Sequence, residues 1–374
     1  MKNKKIMFYP VTQELVSLIR SDLFLKNIND IIICDDKGSG LCGKDIATVD
    51  GKDKIGCIIT EDFEKSVDES DLVVFLRDGI SLDDTRRLDL KKAYVKTAGK
   101  KIIDYFTSSL LERDFLNTTK TIRVKIMDGV QYELQGKDYY KAEGLIDIEV
   151  PIIGVVGLSE GTGKFEVQLN LVYELEKRGY KVSWLSSNFL SSLIDRESFP
   201  NFMLEKDMSD REQILFFNRY LKYIEKKENP DVILIGIPGT IMPCTKKITG
   251  DFGVLAGKVF RASSPDYLIL NMFFDFFSNE YFEEMKNYIK YNYGCKLNAI
   301  YVNNKKVDWE DSEMNNKNEV TSYTIEKDKV TKAFKYVDKN NDLVMLKNLY
   351  NYEIIELVDD IIRCLCEDEH LVVF

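Results

Sequence analysis

A chain of 374 residues, at about 150 per domain, is long enough for two or three domains and two sizeable cores. Its 44% hydrophobic and 30% charged residues, with 21 Gly and 7 Pro, exclude disordered, collagen-like and low-complexity classes. The net charge of −10 leaves no basic footprint for nucleic acid, and the single histidine, His370, leaves no material within the chain for a Ser-His-Asp triad, a multi-histidine zinc centre or a two-histidine iron site.

The first ten residues are basic but lack an apolar signal core, and no run of about 18 apolar residues predicts a membrane span. Residues 5–10 predict a short strand, 13–27 a helix and 30–35 a second strand that runs into a glycine-rich loop. Short apolar runs at Ile55–Thr60, Leu72–Leu76 and Lys101–Tyr105 alternate with helical segments at 61–69 and 83–99. Strands spaced by amphipathic helices predict a mostly parallel sheet, a Rossmann-like unit over residues 1–118. Thr121–Met127 and Val130–Leu134, split by Asp128-Gly129, predict a β-hairpin linker over 119–149.

A second unit, 150–374, opens on the buried-strand run Val150–Val156 and continues with a helix at 163–178 closing on Gly179. Strands follow at Lys181–Leu185, Val232–Ile237, Tyr267–Asn271 and Leu297–Val302, with helices at 209–227, 278–292 and 351–366. Residues 303–320 are polar and Asn-rich and read as a mobile loop. The fold class expected is α/β with two mostly parallel-sheet units, the second P-loop NTPase-like.

Between that opening strand and helix lies Gly157-Leu158-Ser159-Glu160-Gly161-Thr162-Gly163-Lys164. Phosphate binding needs this order of parts: glycines let backbone N–H groups converge on an anion, a helix N-terminus adds its dipole, and a lysine adds a cation. Five residues, rather than four, separate Gly157 from Gly163-Lys164, a spacing that resembles the loop of dethiobiotin synthetase and related P-loop proteins. Gly157, Ser159, Glu160, Gly161, Thr162, Gly163, Lys164 and Phe165 are therefore the candidate cofactor-binding residues. Gly236, Pro238 and Gly239, in the loop after the strand at 232–237, are expected to face the phosphates.

Two departures count against Mg²⁺-dependent hydrolysis. The Ser or Thr that normally binds Mg²⁺ is Phe165, and the strand beginning at Asp231 carries no acid near Gly236. Glu166 and Asp251 are the spare carboxylates that remain as candidate catalytic bases, and no metal site is expected. ATP or another nucleotide is the expected ligand, with acetyl-CoA as the alternative.

Elsewhere, Gly38–Asp45 follows a strand of the first unit, where open α/β sheets hold ligands. Two readings stand: a second ligand loop anchored by Lys44 and Asp45, or a turn-rich connection whose glycines take positive φ. Ser186-Ser187-Asn188 reads equally as a substrate contact or as helix-capping residues. The aromatic run at 273–277 reads as core or interface rather than a base-stacking platform. Seven scattered cysteines fit reduced thiols and a cytoplasmic location.

Several strings taken together carry a family resemblance: Phe8-Tyr9-Pro10, the Gly38–Asp45 loop with Asp50-Gly51, Ile55-Gly56 before Asp62-Phe63-Glu64, the run Gly161–Leu169, Arg178–Val182 and Gly236–Gly239. In these the chain resembles the clostridial peptide maturation system proteins, found beside radical SAM maturases in bacteriocin-like cassettes. It is similar more widely to two-domain proteins with a Rossmann-like and a P-loop unit, some associated with acyl transfer to D-amino acids. The resemblance implies an accessory role in maturing a ribosomally made peptide, with the precursor peptide or the radical SAM maturase as partner. It leaves room for a homo-oligomer, and for a non-catalytic scaffold with a vestigial P-loop.

Overall fold

The computed structural model describes residues 4–25, 30–76, 82–105, 144–204, 208–275, 277–314, 320–333, 343–347, 349 and 352–367. The chain divides into two compact units, Met1–Ile126 with Ser192–Asp195, and Met127–Ser191 with Arg196–Phe374. The expected hairpin at 121–134 lies outside the described residues.

The first unit runs β1 (Lys5–Tyr9), α1 (Gln13–Arg20), α2 (Asp22–Leu25), β2 (Asp30–Cys34), β3 (Ile59–Thr60), α3 (Phe63–Glu69), β4 (Leu72–Phe75), α4 (Leu82–Thr97) and β5 (Lys101–Asp104). All strand pairs are parallel, in the order β3-β2-β1-β4-β5, which is the Rossmann order. Ile6, Met7, Phe8 and Tyr9 are all buried because a central parallel strand has cover on both faces. The turn after β1 is Tyr9-Pro10-Val11-Thr12, without glycine, and Thr12 caps α1 by accepting from the Leu15 N–H. That turn therefore lacks the glycines with which dinucleotide-binding members of this fold approach a pyrophosphate.

Two expected elements are shorter than the sequence pattern, each for a local reason. The helix predicted over 13–27 breaks at Ser21, which turns extended and offers its Oγ to the Leu23 N–H. The strand predicted over Ile55–Thr60 is reduced to its last two residues. The Asp45 carboxylate takes the N–H groups of Ile55 (3.2 Å) and Gly56 (2.7 Å), which are then lost to the ladder, and Gly56 sits at φ +92°.

The second unit runs β6 (Ile152–Gly157), α5 (Lys164–Lys177), β7 (Val182–Ser186), β8 (Glu197–Ser198), α6 (Asp210–Glu228), β9 (Val232–Gly236), α7 (Val254–Ala262), β10 (Tyr267–Met272), α8 (Asn279–Tyr293) and β11 (Ala299–Val302). It continues through β12 (Lys305–Val307), α9 (Trp309–Met314), β13 (Ser322–Thr324), α10 (Lys327–Ala333), β14 (Val344–Leu346) and α11 (Tyr352–Glu367). Seven parallel strands stand in the order β14-β11-β10-β6-β9-β7-β8, which puts β6 at the centre between β9 and β10. Every residue of β6 is buried. α6 starts on a full capping box, Ser209 with Glu212, and ends on Asn229 in the left-handed region at φ 46°. α11 is tied to the sheet where the Tyr267 hydroxyl donates to Asp360 Oδ2 at 2.7 Å.

The polar stretch 303–320 is not the single loop expected. Lys305–Val307 pairs antiparallel with Ser322–Thr324, and Asp308 starts α9 by accepting from the Asp311 N–H. Lys305-Lys306-Val307 carries no apolar alternation, so the partner strand, not its own pattern, makes it extended. β14, three residues long, likewise takes its place from its partner, pairing parallel with β11, whereas α7 has its own helical spacing, with Leu255, Ala256, Val259 and Phe260 buried.

Candidate functional site

β6 ends at Gly157 and α5 begins at Lys164, so the loop 158–163 crosses the carboxyl end of the central strand, where open α/β sheets hold ligands. Gly161 (φ +74°) and Gly163 (φ +84°) take the left-handed conformation that lets the chain double back into α5. Gly157 is held to glycine by contact instead: a Cβ there would lie 2.6 Å from Thr162 Oγ1 and 2.8 Å from the Ser159 carbonyl. The loop is braced from every side. The Thr162 hydroxyl donates to the Ser159 carbonyl (2.9 Å), Asn303 Nδ2 to the Gly161 carbonyl (3.1 Å) and the Cys244 thiol to the Leu158 carbonyl (3.5 Å). Burial pushes that thiol's pKa up, against a hydrogen bond with Ser159, so Cys244 stays a neutral brace.

The braces all act on carbonyls. The backbone N–H groups of Glu160, Gly161, Thr162, Gly163 and Lys164 have no hydrogen-bond partner among the described residues. Five donors in sequence at the start of a 14-residue helix are the kind of arrangement to which anions bind.

The Lys164 side chain is 4% exposed, with Nζ 2.5 Å from the Gly239 carbonyl and 3.2 Å from Glu160 Oε2. The Gly239 N–H donates to Glu160 Oε1 at 2.5 Å. Glu160, Lys164 and Gly239 are thus brought together, with Pro238 half-buried beside them. Gly239 sits at φ +81°, and a Cβ on it would come within 3.1 Å of Asp251.

Four predicted residues are placed differently from the others. Gly236 is buried at the end of β9, and an added Cβ would lie 1.9 Å from Gln168 Oε1. Gln168 fills the place where P-loop enzymes carry a metal-binding acid. Its amide donates to the Lys164 carbonyl (2.8 Å) and Ser187 Oγ (2.7 Å), and it accepts from Trp184 Nε1 (3.1 Å) and the Ser187 N–H (3.0 Å). Phe165 is buried, its ring stacked on Trp184 at 6.1 Å. Glu166 is buried behind the loop, accepting from the Tyr301 hydroxyl at 3.3 Å. Asp251 is a latch: it accepts from the Thr240 hydroxyl and N–H and from the N–H groups of Gly253 and Leu255 in the first turn of α7.

Asp251→Ala is therefore expected to cost about 1–2 kcal/mol, as loss of a helix cap does. Chemical denaturation of the variant checks this, and an unchanged midpoint would mean that the latch carries nothing.

The donor set does not fit Mg²⁺. The residue after the lysine offers a phenyl ring, the end of β9 is Gly236, whose side is filled by the fully engaged Gln168 amide of α5, and Asp251 is committed to α7. Among the described residues no group of three or more His, Cys, Asp or Glu side chains is placed to hold a metal ion.

Lys44 and Asp45 belong to the first unit. Lys44 is exposed. Asp45 accepts from the N–H groups of Ala47, Ile55 and Gly56, and these backbone donors, Ala47 first, hold its carboxyl below the usual aspartate range. Added Cβ atoms at Gly38, Gly40 and Gly43 would meet nothing within 4 Å, so these glycines serve backbone conformation at φ +94°, +76° and +79°. In the second unit Ser187 holds Gln168, and Asn188 Oδ1 accepts from the Leu190 N–H, a capping role. Phe273 packs on Gly161, and Phe274 is core.

Gln168 is the residue that sequence reasoning missed. A glutamine one turn into an amphipathic helix carries no signal by itself; its pairing with a glycine where an acid is expected could have raised it.

Together, fold and loop define a two-unit α/β protein with a Rossmann-like and a P-loop NTPase-like unit. No protein-family model and no curated protein matches the chain. Among solved structures it is similar to a DUF1611 family protein from Anabaena variabilis, at TM-score 0.59 and 12% identity, over 96% of this chain and 100% of that one. At that identity the likeness shows the fold. The signal recognition particle receptor FtsY from Elizabethkingia anophelis matches 44% of this chain and 53% of its own, at 15% identity and TM-score 0.29. A nucleotide-binding protein in complex with ADP from Archaeoglobus fulgidus matches 59% of this chain and 88% of its own, at 16% identity and TM-score 0.26. These last two are too distant to bear on function. Among the described residues no helix is long and apolar enough to cross a membrane.

Proposed function

We infer that the second unit binds a phosphate-bearing ligand of the nucleotide class at the 157–164 loop, without Mg²⁺. The observation that carries this reading is the set of five N–H groups without a partner among the described residues, together with the buried Lys164 ammonium, at the carboxyl end of the central strand. A phosphate satisfies both at once: backbone donors take its oxygens and the lysine neutralises its charge. Packing of Phe165 on Trp184 and filling of the Gly236 position by Gln168 favour holding the ligand over hydrolysing it.

The family resemblance supplies the setting: a cytoplasmic accessory protein acting with a precursor peptide or a radical SAM maturase. A ligand panel tests the reading. ADP and ATP, each at about 100 times Kd, are expected to stabilise the protein by about 2.7 kcal/mol, equally with EDTA and with Mg²⁺. Stabilisation that requires Mg²⁺ would overturn the metal-free reading. Stabilisation by acetyl-CoA alone would turn the site to acyl transfer, and none by any of them would leave a scaffold.

A further inference from the structure

Glu160 stands within the anion cradle and is itself an anion. Its carboxylate takes two groups open to a phosphate oxygen there, Lys164 Nζ at 3.2 Å and the Gly239 N–H at 2.5 Å. The arrangement is lopsided: Lys164 is 4% exposed and Glu160 is 65% exposed, so the buried partner is fixed and the carboxylate is the one free to leave.

We propose that Glu160 sets the affinity of the anion site as a tethered competitor for Lys164, a role that rests on the phosphate reading above. A carboxylate on so short a tether competes at an effective concentration in the millimolar range. Any anion that needs Lys164 must first displace it, so the dissociation constants of all such ligands rise by one common factor. A ligand with a single phosphate and few other contacts then falls below useful affinity. One that also engages the five loop N–H groups and holds further contacts through the rest of its structure stays bound. Glu160 thereby weakens every such anion alike, and the ligand's own further contacts decide which of them stays bound.

Glu160→Gln separates charge from shape, since the amide oxygen still accepts from the Gly239 N–H. Titration calorimetry with pyrophosphate and with ADP, on wild type, Glu160→Gln and Lys164→Ala, tests the role. Because Glu160 is so exposed, its pairing should weaken binding by about fivefold, and Glu160→Gln is expected to tighten both probes by that same factor. Equal or weaker binding by Glu160→Gln, with loss in Lys164→Ala, overturns the competitor and leaves the phosphate site standing. Binding of neither probe by any of the three proteins overturns both.

Discussion

Lys164→Ala is expected to lower affinity for ADP by about 10- to 100-fold, the value of the charge-assisted hydrogen bonds that a lysine gives a phosphate. Stability should change less. The substitution strands no buried charge, because the partner it leaves behind, Glu160, is largely exposed and free to hydrate. The Gly239 carbonyl loses one donor, at a cost of about 1 kcal/mol. Calorimetry and a melting curve on the same sample separate the two effects. Unchanged affinity would remove Lys164 from the site; a large fall in melting temperature would make it structural.

The second large effect lies at Gly236. A methyl group there would sit 1.9 Å from Gln168 Oε1 and 2.3 Å from its Cδ, far inside contact distance. Gln168 cannot step aside cheaply, since it is fully buried and its amide bonds to the Lys164 carbonyl, Ser187 and Trp184. Gly236→Ala is therefore expected to destabilise by about 3 kcal/mol, overpacking combined with lost buried hydrogen bonds. Nucleotide affinity should fall with it, because Gln168 also holds the Lys164 carbonyl in the first turn of α5. Gln168→Ala alone leaves Trp184 Nε1 and the Ser187 N–H without their acceptor. Combined with Gly236→Ala it also removes the clash, so the double variant should lose at least about 1 kcal/mol less than the two single losses added. Strict additivity in denaturant unfolding would mean that the two side chains do not share that space.

These two residues also mark how the site divides between what is local and what is not. Lys164 was legible because its chemistry is announced by its neighbours in sequence: an apolar run too short for a helix, glycines that permit φ +74° and +84°, and an amphipathic stretch ending at Gly179. Gln168 was not, because nothing within a few residues of it says that it faces the end of β9. The same holds for Asp251, whose carboxylate is read as a spare base until α7 is seen to use it. Asp45 likewise reads as a ligand anchor until Ile55 and Gly56 are seen donating to it.

The sequence by itself determined the class of the fold, the parallel alternation of strands and helices in both units, and the strand–loop–lysine–helix element at 152–177. Those depend on hydrophobic period, glycine conformation and capping, which act over a few residues and are written where they act. Only the tertiary structure decided that Glu160 neutralises Lys164, that Gln168 stands where a metal-binding acid would, and that residues 305–307 and 322–324 pair as strands. Those depend on which distant segments share the space at a strand's end, and a side chain's partner there is set by the packing of the sheet rather than by the residues beside it in the chain.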